Sequence, residues 1–475
     1  MCDTIPVMEF IGRARELRIL DDELDAVQRT EGGRFVLVRG QRRVGKSRLV
    51  EEFLRRADIP HVFFTATNGR APEAELRAFL ADVETSSIAA PVASGMVAES
   101  WSSALTFATT GVTGPRVVVI DEFPFLVRGS SEVEGAVQNV WDQVLSRQPV
   151  LLIVVGSDVA VMEAVTAYER PLYGRPTRVV RVDPLRPGEV ATLLDASADD
   201  VLDDYLVVGG MPELVRSRAD ASNLTEYLES QLQDPTSPLL VAGERGVSAQ
   251  FPQGTPARRV LRAVGSDAAA FGRISDRAGV PRPTVQRTLD TLVDARVLAR
   301  DIPLAAPPGR QRRYRVVDPA LRFWLRYLDR GLSDVERGRG DLVLDRITRD
   351  WPHYRGRAIE PLVRDALLHA LPDDRLADVA DVGGWWTRSH DVEVDIVGVD
   401  DADHPQRVPV VGTIRWRDRR PLDRDDLAQL QRALVRVPGT DTATRLIGVS
   451  RVSGTDEAFD AVFGPDDILV DHRPR

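Results

Sequence analysis

Gly40-Gln41-Arg42-Arg43-Val44-Gly45-Lys46-Ser47 stands between a short β-branched run, Phe35–Val38, and a helical pattern, Ser47–Arg56. Strand, glycine-bounded turn and helix in that order read as a loop that wraps a chain of phosphates. Glycine is needed where backbone must approach an anion closely. The amides of the turn and the open N–H groups of the helix start point donors at it. Lys46 adds a flexible point charge that reaches the outer phosphates, and the Ser47 hydroxyl suits Mg2+. Gly40, Gln41, Arg42, Arg43, Val44, Gly45, Lys46, Ser47 and Arg48 are therefore the candidate nucleotide-binding residues.

Lysine occurs nowhere else. Of 62 lysines plus arginines in 475 residues, Lys46 is the single lysine. A coding bias explains the arginines. The position where lysine persists is one where a compact ammonium and a planar guanidinium are not interchangeable.

Downstream, the apolar run Arg116–Ile120 ends in Asp121-Glu122. Asp121 is expected at the sheet edge to hold the Mg2+ shell, and Glu122 to polarise a water for attack on the terminal phosphate. The run Val150–Val155 leads to Ser157, a candidate sensor of that phosphate. Arg170 and Arg175 are candidates for neutralising its charge. With His61–Thr65 and Val179–Val182 these runs alternate with helical stretches, among them Arg13–Arg29 and Pro72–Val83. That rhythm predicts an α/β fold with a parallel sheet covered by helices over residues 1–185.

Residues 186–250 turn helical and are expected to form a helical lid to the sheet, with leucines at helical spacing in Val190–Leu206 and Leu224–Leu240, and Ser248–Pro256 reads as a linker. Residues 257–330 form a basic unit of sixteen arginines against seven aspartates, net +9, although the whole chain carries −10. Such asymmetry is more informative than the total, which excludes a polyanion-binding chain as a whole. Helices are expected at Arg258–Val264, Phe271–Ala278 and Pro281–Ala295, then strands Val297–Asp301 and Arg312–Val317 around the wing Pro307-Pro308-Gly309-Arg310. This is the layout of a winged helix. Its third helix would offer Arg282, Thr284, Gln286 and Arg287 to DNA, and its wing Arg310, Arg312 and Arg313. The same module also serves as a docking or regulatory domain. Residues 340–475 mix a helix, Glu360–Ala370, with strand-like runs at Val392–Val397, Val408–Ile414 and Thr444–Val449.

Composition sets further bounds. A chain 43% hydrophobic and 28% charged is globular rather than disordered. The only cysteine is Cys2, so no intrachain disulfide forms. No stretch reaches 18 apolar residues, and Met1–Phe10 lacks the pattern of a secretory signal. The expectation is a soluble cytoplasmic protein without a membrane partner. The sequence names neither a protein partner nor an oligomeric state.

Four separated motifs carry a resemblance. Phe10-Ile11-Gly12-Arg13 with Glu16-Leu17 resembles the segment that borders the adenine in AAA+-like and STAND ATPases. Asp121-Glu122-Phe123-Pro124-Phe125-Leu126, Pro171-Leu172-Tyr173-Gly174-Arg175 and Gly209-Gly210-Met211-Pro212 resemble the archaeal-type ATPases within that group. The resemblance implies ATP rather than GTP, a P-loop strand near the centre of the sheet, and a nucleotide contact by Phe10, Gly12 and Arg13. Tyr314, Asp318-Pro319 and Arg322-Phe323-Trp324 resemble the winged helix that follows this ATPase.

Tyr354-Arg355-Gly356-Arg357-Ala358-Ile359-Glu360, Trp385-Trp386, Glu393-Val394-Asp395 and Gly412-Thr413-Ile414-Arg415-Trp416 resemble a restriction-endonuclease-like domain. That resemblance implies a metal site on Glu360 and Asp395 with an acid and a lysine on the next strand. Here Thr413 and Arg415 stand in those places; threonine is a poor Mg2+ ligand and arginine does not readily give up a proton, so a structural or DNA-docking role is expected of this domain. The expected function is an ATP-hydrolysing switch whose nucleotide state repositions the winged helix. A DNA-binding regulator with structural nucleotide and a Mg2+-dependent nuclease are the alternatives.

Overall fold

β-Branched runs flanked by glycine and proline become the strands of a five-stranded sheet in the computed structural model. The structure describes residues 10–88, 98–109, 114–243, 255–305, 312–376, 378–389, 391–452, 454 and 458–470. They fall into two compact units that divide between Leu185 and Arg186. In the first unit, β1 (Arg34–Arg39), β2 (His61–Thr65), β3 (Arg116–Asp121), β4 (Val150–Gly156) and β5 (Arg178–Arg181) run in parallel in the order β2-β3-β4-β1-β5. Every residue of β3 and β4 is buried, as strands covered on both faces require. Phe35, Phe64, Phe79, Trp101, Val118 and Leu152 belong to one core beneath the covering helices.

This order sets the site. β3, β4 and β1 are neighbours, so the segments leaving their carboxyl ends emerge side by side. Those segments are Asp121-Glu122, Gly156-Ser157 and Gly40–Gly45. The crevice beyond the carboxyl ends of parallel strands is where α/β sheets take ligands.

In the second unit the helical stretches are shorter than leucine spacing implies. Val190–Leu206 resolves into Pro187–Val190 and Ala198–Val208, because Ser197 leaves the helical region with ψ 157°. The helix that begins at Leu224 ends at Gln233, because Pro235 forces Asp234 into an extended conformation at φ −117°, ψ 111°. Helices Pro256–Val264, Phe271–Ala278 and Arg282–Asp294 follow, with a small antiparallel sheet of β6 (Ala269–Ala270), β7 (Leu298–Asp301) and β8 (Arg313–Val316) in the order β6-β8-β7. Val285, Leu289, Leu292 and Val293 are expected from their spacing to share one face of the third helix; the first three are buried and Val293 is half-buried. The expected linker up to residue 254 and the wing tip with Arg310 lie outside the described residues, as does Cys2.

A second five-stranded sheet, in the order β13-β12-β11-β10-β9, closes the chain. It comprises β9 (Asp381–Trp386), β10 (Glu393–Val399), β11 (Val410–Arg415), β12 (Arg445–Ser450) and β13 (Ala461–Phe463). β9, β10 and β11 are antiparallel, while β11, β12 and β13 run parallel.

Buried polar contacts bind the parts of this unit together. Asp203, on the helix Ala198–Val208, accepts from Arg355 Nη1 at 2.9 Å and from Trp416 Nε1 at 3.0 Å. Arg322 donates to the carbonyls of Ser266 at 3.2 Å and Ala358 at 3.2 Å. Among the described residues, no helix is long and apolar enough to cross a membrane.

Candidate functional site

The loop after β1 is shaped by what it cannot hold. A Cβ on Gly40 would lie 2.1 Å from the Val182 carbonyl oxygen, so any side chain there pushes the loop off its neighbour. Gly45 starts the following helix, Lys46–Ala57, at φ 91°, in the left-handed region that favours glycine. That helix is pinned by Leu49, Val50 and Phe53, which are wholly buried. The open N–H groups of its first turn are thereby fixed in direction, as anion binding demands. Arg42 and Arg43 are exposed, Val44 is buried, and Arg48 Nη1 donates to Glu51 at 3.2 Å.

Lys46 is almost completely buried, and its Nζ donates to the Gln41 carbonyl at 2.7 Å, across the loop. Burial pulls its ammonium down to about 8, against the attraction of Glu122 and Asp121. Ser47 Oγ donates to Asp121 Oδ2 at 2.6 Å. The Glu122 amide donates to Asp121 Oδ1 at 2.8 Å. Burial still pushes the Asp121 carboxyl above the usual carboxylate range. Magnesium is reluctant to lose its waters and needs only one or two protein oxygens beside the phosphates. Ser47 and Asp121, already within hydrogen-bond distance of each other, fit that requirement.

Glu122 adopts φ 52°, ψ 39°, a left-handed conformation uncommon outside glycine, at the junction between β3 and the helix Phe123–Gly129. Its Oε2 accepts from Ser157 Oγ at 2.7 Å. The residue read from sequence as a phosphate sensor thus holds the candidate base. The fragment at the start of the chain also reaches the loop. Arg13 is buried and its Nη2 donates to the Val44 carbonyl at 2.8 Å, with Gly12 and the half-buried Phe10 just before it. Arg175 and Arg170 are engaged elsewhere. Arg175 Nη2 pairs with Asp142 at 2.8 Å, and Arg170 Nε with Glu134 at 3.0 Å. Neither carboxylate partner was visible in the sequence pattern.

In the basic region the helix Arg282–Asp294 leaves Arg282 and Arg287 exposed, the first with its guanidinium 5.4 Å from the centre of the Phe271 ring. Thr284 is half-buried, and Gln286 Nε2 is committed to Asp290 at 3.0 Å. Arg312 is exposed. Arg313 is turned inward instead. Its Nη1 donates to Glu393 at 2.6 Å and its guanidinium lies 4.3 Å from the centre of the Trp386 ring.

The C-terminal sheet does not suit the metal that its resemblance implies. Asp395 Oδ2 accepts from Thr413 Oγ1 at 3.0 Å, the Ile414 amide at 2.9 Å and Arg415 Nη1 at 3.1 Å. Arg415 is in turn held by Asp426 at 2.9 Å. Three donors, one of them a fixed guanidinium, cover one of the two oxygens of this carboxylate. Burial pushes the Glu360 carboxyl up to about 7, against the attraction of Arg364. Among the described residues, no group of three or more His, Cys, Asp or Glu side chains is placed to hold a metal ion. Asp426 was missed in the sequence, although Asp423 and Asp426 form a capping box at the start of the helix Arg424–Leu434.

Comparison with known families bears on the unit that carries the first site. Residues 10–217 match the family described as "ATPase domain predominantly from Archaea". They are an archaeal-type ATPase domain. An IclR-type helix-turn-helix match follows at residues 257–301, and residues 324–427 match a family of archaeal and bacterial proteins of unknown function. An uncharacterized protein of Methanocaldococcus jannaschii is 24% identical over 420 residues, which cover 88% of this chain and 89% of that one. Among solved structures, a Walker-type ATPase of Pyrococcus abyssi is 18% identical with a TM-score of 0.49, covering 66% of this chain and 96% of its own. The ORC2 protein of Aeropyrum pernix, in ADPNP–ADP complexes, is 12% identical with a TM-score of 0.47, covering 74% and 98%.

The depressed ammonium of the ATPase domain has a measurable consequence. A phosphate bound against Lys46 stabilises its charged form and so raises its pKa in the complex. Above pH 8 the complex therefore holds one proton more than the free protein, and affinity falls as pH rises. ATP affinity is expected to be insensitive to Lys46 below its pKa of about 8 and to fall toward about tenfold per pH unit above it. Calorimetric titrations in two buffers of different ionisation enthalpy should register proton uptake on the alkaline side and none from this group near neutrality.

Proposed function

We propose that the ATPase domain binds Mg-ATP, hydrolyses it slowly, and uses the change of nucleotide state to reposition the winged-helix region. The observation that carries this reading is the convergence of Lys46, Ser47, Asp121, Glu122 and Ser157 at the ends of three adjacent strands. Loop amides and the start of the helix Lys46–Ala57 would cradle the phosphates, with Lys46 leaving Gln41 to reach them. Ser47 and Asp121 would hold magnesium, which supplies neutralisation of charge on the outer phosphates. Glu122 would take a proton from a water as its oxygen bonds to the terminal phosphorus and the bridge to ADP breaks. A steady-state assay of phosphate release, with and without duplex DNA, tests the reading. Undetectable turnover in both conditions would leave nucleotide a structural role.

The basic region supports a nucleic-acid role through its exposed arginines on the third helix. Removing both Arg282 and Arg287 is expected to weaken duplex binding at low salt by about tenfold or more. The slope of log affinity against log salt should shrink by about 0.9 for each phosphate that the protein no longer neutralises. Fluorescence anisotropy at several salt concentrations reads both quantities. Affinity and slope that match the parent protein would remove this face from DNA contact.

A further inference from the structure

The strands that carry the wing hold three arginines, Arg300 on β7 and Arg313 and Arg315 on β8. Two of them are paired at home. Arg300 Nη2 donates to Asp290 at 2.7 Å and Arg315 Nε to Asp301 at 2.9 Å, both within residues 257–330. Arg313 is paired from outside. Its carboxylate partner is Glu393, on β10 of the C-terminal sheet, at 2.6 Å, and the centre of the Trp386 ring, on β9, lies 4.3 Å from its guanidinium. A charge-assisted hydrogen bond and a cation–π contact thus act on one group, whose side chain is only 13% exposed.

The chain entering the wing is held by the same sheet. β9 is an edge strand, so one row of its backbone groups is not used by β10. The Leu304 amide donates to the Gly384 carbonyl of that strand at 3.0 Å. Leu304 and Ala305 also pack against the apolar core that contains Trp385 and Val397. Ala305 is left-handed at φ 54°, a conformation that a residue with a Cβ seldom keeps without support from its surroundings. Backbone, apolar packing and charge all tie the base of the wing to one edge of the C-terminal sheet.

We infer that this contact is autoinhibitory: the C-terminal sheet holds the base of the wing and withholds Arg313 from duplex DNA. Release adds Arg313 to the exposed Arg282, Arg287 and Arg312. The inference rests on the nucleic-acid reading of the basic region and gives that reading a control within the same chain.

Two substitutions in the full chain loosen the contact by different routes. Glu393→Gln removes the charge that holds Arg313. Leu304→Ala keeps every charge and removes packing at the sheet edge. Fluorescence anisotropy with a DNA duplex at several salt concentrations reads the effect. Each variant is expected to bind about threefold or more tighter at low salt, with the slope of log affinity against log salt steeper by about 0.9, for one further phosphate. Arg313→Gln alone should stay within about twofold of the parent, yet abolish the gain when combined with either loosening substitution. Glu393 also lies 3.6 Å from Arg357, so this combination decides which arginine is freed. Hydrogen exchange at the Leu304 amide should quicken in both loosened proteins while the melting temperature stays near that of the parent. Exchange at the parental rate in both would overturn the hold itself. A gain that survives without Arg313, or no gain at all beside normal parental binding, would overturn the inference and leave the nucleic-acid reading in place. A severalfold loss from Arg313→Gln alone would also overturn it, because Arg313 would already be on the DNA. Failure of every one of these proteins to bind duplex would remove the nucleic-acid reading, and the inference with it.

Discussion

Lys46→Ala is expected to weaken ATP binding by at least about 100-fold, roughly 2.7 kcal/mol, while the protein stays folded. The size follows from the environment. The ammonium is nearly removed from water and offers three donors, one of which is already used on the Gln41 carbonyl. Hydrogen bonds to charged groups contribute about 1.5–3 kcal/mol each, and a phosphate chain would accept more than one. In the substituted protein the Gln41 carbonyl turns to solvent or to the loop amides, a small cost beside the wholly buried Leu49, Val50 and Phe53 that secure the helix. Lys46→Arg separates charge from shape. It keeps the positive charge and follows the arginine usage of the rest of the chain, yet its planar fork is larger and cannot act as a point charge between two phosphates. It is expected to lose at least about tenfold in affinity. Titration with a fluorescent ATP analogue, beside thermal melting, measures both variants. An alanine variant that binds as tightly as the parent would sink the assignment of this loop.

The single lysine is legible in the sequence, and so is the succession of strands and loops around it. Those features rest on local chemistry: β-branched runs, glycines at a phosphate turn, carboxylates at a strand end. What was hidden depends on distant neighbours. The long helix Gly340–Ala358 has Val343, Ile347, Tyr354 and Ala358 buried along one side, yet Pro352 interrupts the pattern in its sequence. Proline usually ends a helix, but here it is exposed and the helix carries on past it. The strand β9 was obscured by Gly383-Gly384. A Cβ on Gly383 would lie 2.8 Å from Leu304 Cγ, so glycine serves close packing rather than a turn. Leucine spacing in Leu224–Leu240 pointed to one helix, and the local rule for a residue before proline prevailed.

The same division runs through the sites. Lys46, Ser47, Asp121 and Glu122 could be read from motif and context. The engagement of Arg175 by Asp142, of Arg313 by Glu393 and of Arg415 by Asp426 could not, because each joins positions with no sequence signature in common. In a chain this rich in arginine, the useful distinction is between guanidinium groups that already have a carboxylate and those that do not. Applied to the basic region, it turns Arg313 inward and leaves Arg282, Arg287 and Arg312 on the surface.

Glu122→Gln is expected to bind ATP within about twofold of the parent and to turn it over about 100- to 10,000-fold more slowly, the range for loss of a general base. Glutamine keeps the length of the side chain, and its amide oxygen can still accept from Ser157 Oγ, now 2.7 Å from Glu122 Oε2. The left-handed backbone at this residue is set by β3 and the helix Phe123–Gly129, so the substitution leaves it in place. What disappears is the capacity to take a proton from the attacking water. Ser157 then gives an internal control. As a positioning residue it acts through Glu122, so Ser157→Ala is expected to slow turnover by about tenfold in the parent, a typical loss when a catalytic group is misplaced. In the Glu122→Gln background the same change should have almost no further effect on turnover, since there is no base left to position. Phosphate release and nucleotide affinity measured across the four proteins of this cycle separate the roles. If the two substitutions multiply in turnover, Ser157 acts on the phosphate independently of Glu122. If Glu122→Gln hydrolyses ATP at the parental rate, the base lies elsewhere in the ATPase domain.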